Sequence, residues 1–147
     1  MRAGGFATGI LAFGALAGGC EDPPPPCIEV DLDCQMLYEP TFDNVYAMTL
    51  TDGCGSTKNA CHSAAGRKGG MSFETAESAH AALLDGRVTP GDPGCSELIV
   101  RTSSPGEDYQ MPPGDPLAAA ARCSLIQWVK RGAPGPGEPL STVGASR

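Results

Sequence analysis

The segment CGSTKNACH, from Cys54 to His62, combines two thiols with an imidazole. Such side chains can bind a metal ion, form a disulfide beside a histidine, or attach haem covalently. The usual haem-attachment signal is Cys-x-x-Cys-His, whereas six residues separate Cys54 from Cys61. On a continuous α-helix that spacing would put the two Cα atoms about 10 Å apart. Haem attachment and a disulfide therefore both require the chain to loop out between the cysteines, and the spacing leaves both open.

The first 19 residues predict a signal peptide. Arg2 precedes an apolar run from Phe6 to Ala17, and small residues stand before Cys20. The run is short and rich in glycine for a membrane-spanning helix, which needs about 20 apolar residues. A small residue before Cys20 resembles a bacterial lipobox, in which the cysteine is lipidated. We therefore expect a lipid anchor at Cys20 and a place in the cell envelope, facing the periplasm or the exterior; secretion without a lipid is the alternative.

Export would place the cysteines in an oxidising compartment. With Cys20 set aside, an even number remains, which suits three disulfides, or haem on two cysteines and disulfides between the others. The number of cysteines therefore does not decide between these possibilities. Cys27 and Cys34 enclose a short acidic loop and predict a local disulfide. The six cysteines that remain are Cys27, Cys34, Cys54, Cys61, Cys95 and Cys123.

The composition limits the core and the partners. Aromatic residues make up 5% of the chain, which has 20 glycines and 14 prolines, so the side chains offer little bulk for a core. Small domains of this kind are usually stabilised by disulfides, a metal or a cofactor. The net charge is −7 and no basic stripe is present, so nucleic acid is not an expected partner. Hydrolase and phosphate-binding motifs are also missing from the sequence, which favours an electron carrier or a binding module over an enzyme.

Helical patterns flank the Cys-His segment on both sides. The first predicted helix begins after Thr41, a candidate N-cap, and ends at Gly53. A second helix follows, with Ser72 or Thr75 as the N-cap, and a short one covers residues 96–101. The last helix carries an apolar face from Leu117 to Val129 and ends before Gly132. No strand pattern stands out, so the sequence predicts an all-α fold.

Proline-rich and polar stretches divide the chain. EDPPPP after Cys20 is stiff and extended, and GPGEPLSTVGASR at the end has the composition of a disordered tail. Met111 lies between them, in the loop SPGEDYQMPPGDP. The predicted segments are a signal peptide (1–19), a lipidated proline-rich and acidic tether (20–39), a helical domain (40–134) and a disordered tail (135–147).

The order of these elements resembles the small all-α cytochrome c domain, and in particular a subset found in large bacterial envelope proteins and lipoproteins. Four motifs carry the resemblance, in their order along the chain. It covers Pro40 to Pro134 and implies a helical fold around haem. The motifs are Cys61-His62, PGDPGCSEL at 90–98, MPP at 111–113 and IQWVKRGAP at 126–134.

The resemblance assigns roles to individual residues. It implies haem c attached to Cys54 and Cys61, with His62 and Met111 as the axial ligands of the iron. Methionine and histidine together raise the reduction potential, which suits electron transfer. Lys58, Arg67 or Lys68 could pair with a haem propionate. Because the elements that carry Cys95 and Cys123 pack together in that family, the resemblance also implies a disulfide between them.

Two alternatives to the electron carrier stay open. One is a haem-free envelope lipoprotein, fastened by disulfides and serving as a binding module with no cofactor. The other is a zinc site formed by Cys54, Cys61, His62 and His80, whose ligand types are suitable but whose spacing matches no familiar pattern. The sequence does not name the redox or protein partner in the envelope.

Overall fold

The structure, a computed structural model, describes residues 23–55 and 61–140. The predicted signal peptide, Cys20, Lys58 and the end of the predicted tail lie outside these ranges. Within them the fold is all-α, as the sequence predicts, and contains no strand. Its α-helices are α1 (Phe42–Val45), α2 (Ala76–Leu84), α3 (Glu97–Thr102) and α4 (Ala119–Lys130), accompanied by a π-helical segment (Tyr46–Gly55) and a 3₁₀ turn (Lys68–Gly70).

The helix predicted to end at Gly53 begins where expected but changes its winding. The Oγ1 of Thr41 accepts a hydrogen bond from the backbone N–H of Asn44 at 3.3 Å, which confirms the predicted N-cap. After Val45 the chain continues as the π-helical segment, which extends to Gly55. Hydrogen bonds in a π-helix join residues five apart, and long π-helices are rare. Cys54 lies in the last turn of this segment, so the predicted helix leads directly into the candidate site.

Local side-chain chemistry defines the ends of α2 and α4. Thr75 accepts a hydrogen bond from the backbone N–H of Ser78, and the Ser78 hydroxyl accepts one from the backbone N–H of Thr75. This reciprocal pair is a capping box. At the end of α4, Gly132 has a φ of 91°, a conformation that glycine adopts readily. Thr75 and Gly132 were both predicted from the sequence, and the structure confirms them.

Trp128 of α4 is the largest side chain in the core and is completely buried. Its ring lies 5.3 Å from that of Phe42 in α1, and its Nε1–H donates to the carbonyl of Pro134. His80 of α2 packs edge-on against Phe42, with 4.8 Å between ring centroids, and its Nε2 lies 3.0 Å from the carbonyl oxygen of Ala133. α1 thus packs against α2 and α4, while α3 packs against α4. The other buried apolar side chains of this cluster are Val45, Leu50, Phe73, Ala79, Leu83, Val88, Ile99, Leu125, Ile126, Val129 and Ala133.

The predicted disulfide pairing, Cys27 with Cys34 and Cys95 with Cys123, is wrong. The same four cysteines are bonded, but Cys27 pairs with Cys95 and Cys34 pairs with Cys123. Their Cα atoms lie 4.1 Å and 5.8 Å apart, respectively. The short loop between Cys27 and Cys34 does not close on itself, because the segment runs across the helical domain. Each cysteine therefore meets a different element: the start of α3 for Cys27, and the middle of α4 for Cys34.

Backbone hydrogen bonds hold this segment, residues 27–38, against the helices; we call it the N-terminal strap. The Ile28 N–H donates to the carbonyl of Gly94 at 2.9 Å, and the Leu37 N–H donates to the carbonyl of Ala120 at 3.0 Å. The Ser124 hydroxyl accepts from Leu37 and Tyr38. The sequence predicts a tether over residues 20–39; two disulfides and these hydrogen bonds tie the strap part of it to the helical domain.

A close approach of two backbones explains the residue next to the first disulfide. A Cβ atom added to Gly94 would lie 2.8 Å from the carbonyl oxygen of Ile28. Real Cβ contacts are not that short, so only glycine lets the strap lie this close beside the Cys27–Cys95 bond.

The first residues of the predicted tail also contact the domain. The Gly137 N–H donates to the carboxylate of Asp43 in α1 at 3.2 Å, and the Gly135 N–H donates to Glu138 at 2.7 Å. Residues 141–147 lie outside the described ranges. Among the described residues, no helix has the length and apolar character needed to cross a membrane.

Candidate functional site

One cavity brings together the four residues that the sequence predicts as a haem site. Its volume is about 320 Å³. The two cysteines lie seven positions apart in the chain, and Met111 lies about fifty residues further on, so only the fold puts them on one surface. A smaller space of about 50 Å³ shares Cys54, His62 and Met111 with it; apolar side chains and the charged Arg87, Glu97 and Arg101 also line this space. The lining of the larger cavity is Cys54, Cys61, His62, Lys68, Met111, Pro112 and Pro113.

The two cysteines of the cavity are not bonded to each other. Cys54 is half-buried and Cys61 is exposed, and both carry free thiols. Burial, together with the neighbouring Cys61 thiol, raises the pKa of Cys54 to about 11. Cys54 is therefore protonated at neutral pH, since removing a proton would place a charge in an apolar setting. The cavity thus presents two unpaired thiols on one wall.

His62 is held rigidly at the cavity wall. Its own carbonyl accepts a hydrogen bond from the Phe73 N–H at 2.8 Å, and the carbonyl of Cys61 accepts one from the Lys68 N–H at 2.7 Å. The imidazole lies against the Phe73 ring, with 4.9 Å between centroids, and only 7% of the residue is exposed. Burial lowers the pKa of His62, and a hydrogen bond with the Lys68 backbone partly opposes this effect.

The imidazole of His62 has an unmet polar group. Its Nδ1 atom is buried and has no hydrogen-bond partner among the described residues. Buried polar atoms are nearly always paired, so an unpaired one calls for a functional explanation. The lowered pKa favours neutral imidazole, which is the form that binds metals.

Helix α3 supports the loop that carries Met111. The Met111 N–H donates to the carbonyl of Arg101, and the Arg101 guanidinium donates to the carbonyl of Tyr109 at 3.2 Å. Glu97 holds that guanidinium at 2.6 Å and pairs with Arg87 as well. Burial alone would raise the pKa of Glu97, but hydrogen bonds from Arg87 and Arg101 hold it below its ordinary value. An ion-pair network therefore fixes the base of the Met111 loop.

Two residues that shape the site were not found from the sequence. Phe73 packs against the His62 ring, and the Gln110 side chain forms hydrogen bonds with backbone groups before and after Met111. Gln110 stands next to Met111 in a stretch without periodicity, so no pattern marks it. Phe73 lies at the start of the predicted second helix, where its apolar character indicates burial but not a partner.

Other predicted residues are not part of the cavity. His80 lies in the core beside Trp128, where its ring is engaged with Ala133, and it does not line the cavity. Arg67 is exposed and does not line it either, whereas Lys68 does. Among the described residues, no group of three or more His, Cys, Asp or Glu side chains converges closely enough to hold a metal ion by itself. The structure therefore does not bring His80 to the cavity with Cys54, Cys61 and His62, as the zinc alternative requires.

Residues 59–115 match the sequence model of one family, Planctomycete cytochrome C. The match supports a cytochrome c-like domain. It includes Cys61, His62 and Met111, while Cys54 and helix α4 lie outside it. The matched segment is less than half of the chain. No curated protein and no solved structure matches the chain.

The side chains that line the cavity include the donor types that c-type haem uses. The side chains around it offer two thiols, a neutral imidazole with an unpaired nitrogen, and a thioether. These are the groups that c-type haem uses for attachment and for axial ligation. They line one space of about 320 Å³, while among the described residues no three His, Cys, Asp or Glu side chains lie close enough to hold an ion by themselves.

Proposed function

We propose that this protein is an exported c-type cytochrome-like electron carrier that binds haem c. One observation carries the proposal: two unbonded thiols, His62 and Met111 line a single cavity in a domain similar to a cytochrome family. In the rest of the described chain every other cysteine is in a disulfide. The cysteines beside His62 are thus the ones kept available for another bond.

Five of the residues that line the cavity have a role in this proposal. Cys54 and Cys61 would hold haem through thioether bonds, and His62 and Met111 would bind its iron. Lys68 lines the cavity and offers a cation for a propionate. When bound, haem supplies reversible one-electron transfer, with a potential raised by methionine ligation. The protein contributes orientation, an apolar surrounding and exclusion of competing ligands rather than catalysis.

The proposal includes a location outside the cytoplasm. Its support is the sequence before residue 23, with an apolar run ending at Cys20, and the two disulfides of the domain, which are typical of an oxidising compartment. We propose that a lipid on Cys20 holds the protein at the envelope and that its partners are redox proteins there.

The Cys20→Ser variant tests the lipid anchor and should release the protein from the membrane fraction. Unchanged partition between the membrane and soluble fractions would exclude the anchor.

A haem-free binding module is the second candidate, and one observation favours it. The core around Trp128 and the two disulfides hold the domain together through residues that do not line the cavity. Under this alternative the cavity would accept a ligand or a partner side chain in place of haem.

Intact mass under denaturing conditions distinguishes the two candidates. The protein is purified from its native envelope, and its mass is compared with that of the Cys54→Ser/Cys61→Ser variant. The electron-carrier proposal expects one covalent haem in the wild type and none in the variant. A wild-type mass without haem, with both thiols alkylated or joined by a disulfide, would favour the binding module.

A second pair of variants tests the axial histidine. His62→Ala should abolish the stable haem complex, whereas His80→Ala is the matched control and should keep it.

A further inference from the structure

The loop that carries Met111 contains one buried polar side chain that serves the loop itself. Gln110 is 7% exposed, whereas Glu107 and Asp108 just before it are exposed. A buried amide needs hydrogen-bond partners, and it can make up to four bonds through its oxygen and its NH₂ group. The partners of Gln110 all lie in its own loop.

These partners lie on both sides of Met111. The Oε1 of Gln110 accepts from the Gly106 N–H at 2.7 Å. Its Nε2 donates to the carbonyls of Pro112 and Gly114, each at 2.8 Å. One side chain therefore joins the incoming and the outgoing arms of the loop. Met111 lies between the two arms, at the wall of the cavity.

Few hydrogen bonds tie the outgoing arm to the rest of the described protein. The incoming arm is anchored by Arg101, which accepts from the Met111 N–H and donates to the Tyr109 carbonyl. In the described ranges no backbone hydrogen bond joins residues 112–117 to another element, and Leu117 at the end of the arm packs against the core. Between Met111 and Leu117, the hydrogen bonds to the arm come from the Nε2 of Gln110.

We propose that Gln110 is the positioning residue for Met111: its amide closes the loop and keeps the thioether at the cavity wall, ready to bind the iron. The ligand part of this inference rests on the proposed function, and the loop-closing part does not. Gln110 does not itself line the cavity; it bonds the carbonyl of the lining residue Pro112 and acts through the loop.

Replacing Gln110 by glutamate removes the hydrogen-bond donor of the side chain and keeps the size of the side chain. Gln110→Glu keeps the length and the acceptor for Gly106, but its carboxylate would face the two carbonyls that Nε2 bonds. Two hydrogen bonds would be lost and replaced by repulsion. Since one hydrogen bond corresponds to a factor of about 2 to 10 in an equilibrium, the loop should open at least about tenfold more often. Gln110→Leu removes all three bonds without adding a charge and serves as the second variant.

Gln127→Glu is the matched control. Gln127 also donates through Nε2 to a carbonyl, that of Leu32 in the N-terminal strap, and does not line the cavity. The Gln127→Glu substitution makes the same change of charge as Gln110→Glu, but away from the Met111 loop.

The test uses the full-length protein as purified and has two readouts. Amide hydrogen exchange of residues 106–114, which does not need haem, should be at least about tenfold faster in Gln110→Glu and Gln110→Leu and unchanged in Gln127→Glu. In haem-loaded protein, imidazole should bind the iron about tenfold more tightly in both Gln110 variants, with a lowered potential and unchanged covalent haem.

Each outcome has a separate meaning. Unchanged exchange of the loop in folded Gln110 variants would overturn the positioning role, whatever the haem content. Faster exchange without any effect on imidazole binding would show that Met111 is held by other contacts and would overturn the inference as well. A wild type without haem would defeat the proposed function and the ligand part of this inference, while the exchange data would still decide whether Gln110 closes the loop. If neither Gln110 variant folds while Gln127→Glu does, a general structural role replaces the positioning role.

Discussion

The six cysteines of the described chain serve two regions in opposite ways. In the strap region, four cysteines form bonds between segments that are 68 and 89 positions apart in sequence. At the cavity, Cys54 and Cys61 are seven positions apart and remain unbonded. Proximity in sequence therefore does not determine pairing. Pairing follows the path of the backbone, which brings the strap to α3 and α4 and keeps Cys54 and Cys61 available at the cavity.

The two regions also differ in what they contribute: one holds the domain together, and the other leaves polar groups unbonded at the cavity. The disulfides and the Trp128 cluster close the domain on the strap side, whereas the cavity side keeps an unpaired Nδ1 and a long loop around Met111. A polar atom left unpaired costs stability. Cross-linking elsewhere offsets that cost, so the cavity can be shaped for binding.

The largest effect should come from removing the bond between the strap and α4. Cys34→Ser/Cys123→Ser opens the longer of the two covalent loops, and we expect a loss of about 4 kcal/mol in the free energy of unfolding. Denaturant titration measures the loss. Cys54→Ser in haem-free protein is the control and should change stability far less. Equal losses in both variants would remove the contrast between the regions, and peptide mapping that recovers Cys27 joined to Cys34 would refute the pairing itself.

The second effect concerns the reactivity of the two free thiols. With its pKa at about 11 instead of 9.0, Cys54 has about a hundredfold smaller thiolate fraction than an ordinary thiol at pH 8. In haem-free protein, iodoacetamide should therefore modify the exposed Cys61 well before Cys54. Time-resolved peptide mapping measures both rates, and urea-unfolded protein is the reference. Equal rates in the folded protein would mean that the cavity does not shield Cys54.

A smaller loss of stability should follow from adding a methyl group where the strap lies against Gly94, beside the Cys27–Cys95 disulfide. Gly94→Ala places a methyl group 2.8 Å from the Ile28 carbonyl, so the strap must shift. Overpacking of this kind usually costs 1–3 kcal/mol, and we expect about 2 kcal/mol here. The same substitution with Cys27 and Cys95 both changed to serine should cost less, because the strap can then move away. Identical costs in the two backgrounds would show that the bridge does not hold the strap against Gly94.

The smallest effect should come from the ion pairs below the Met111 loop. Glu97→Gln weakens its contacts with Arg87 and Arg101, and because these side chains are partly exposed we expect at most about 1 kcal/mol. The pKa of Glu97 is lowered in the folded state, so its contribution is present above its ordinary pKa of 4.5 and is lost as the pH falls through the folded value. The variant should differ from wild type at pH 7 and converge with it in acid. Glu107→Gln, at an exposed position, is the control; a pH-independent difference would rule out the ion pairs as its source.

The parts of the structure that depend on local chemistry could be predicted from the sequence. Thr41 and Thr75 are N-caps because a hydroxyl reaches the N–H three residues later, which requires no knowledge of the fold. Cys61 and His62 are adjacent, so their joint presence at one site was expected as well. The resemblance to a family supplied Met111, which no local pattern connects with His62.

The parts that depend on long-range contacts could not be predicted. The strap has no helical or strand periodicity, so nothing in its residues indicates that it crosses α4 and pairs Cys34 with Cys123. Gln110 bonds only to backbone groups of its own loop, and that loop closes in three dimensions rather than by spacing. The change to π-helical winding after Val45 likewise has no signal in the apolar pattern, which is compatible with an ordinary helix.

The two disulfides also make the cavity segment part of a covalent ring. Any cut of the backbone between Cys34 and Cys95, including one within residues 56–60, leaves two fragments joined by both bonds. A cut in the loop around Met111 leaves them joined by the Cys34–Cys123 bond alone. A protease that cuts either segment would therefore release no fragment until a reductant is added. Such a ring would keep the residues on both sides of a broken peptide bond attached to each other, those that line the cavity included.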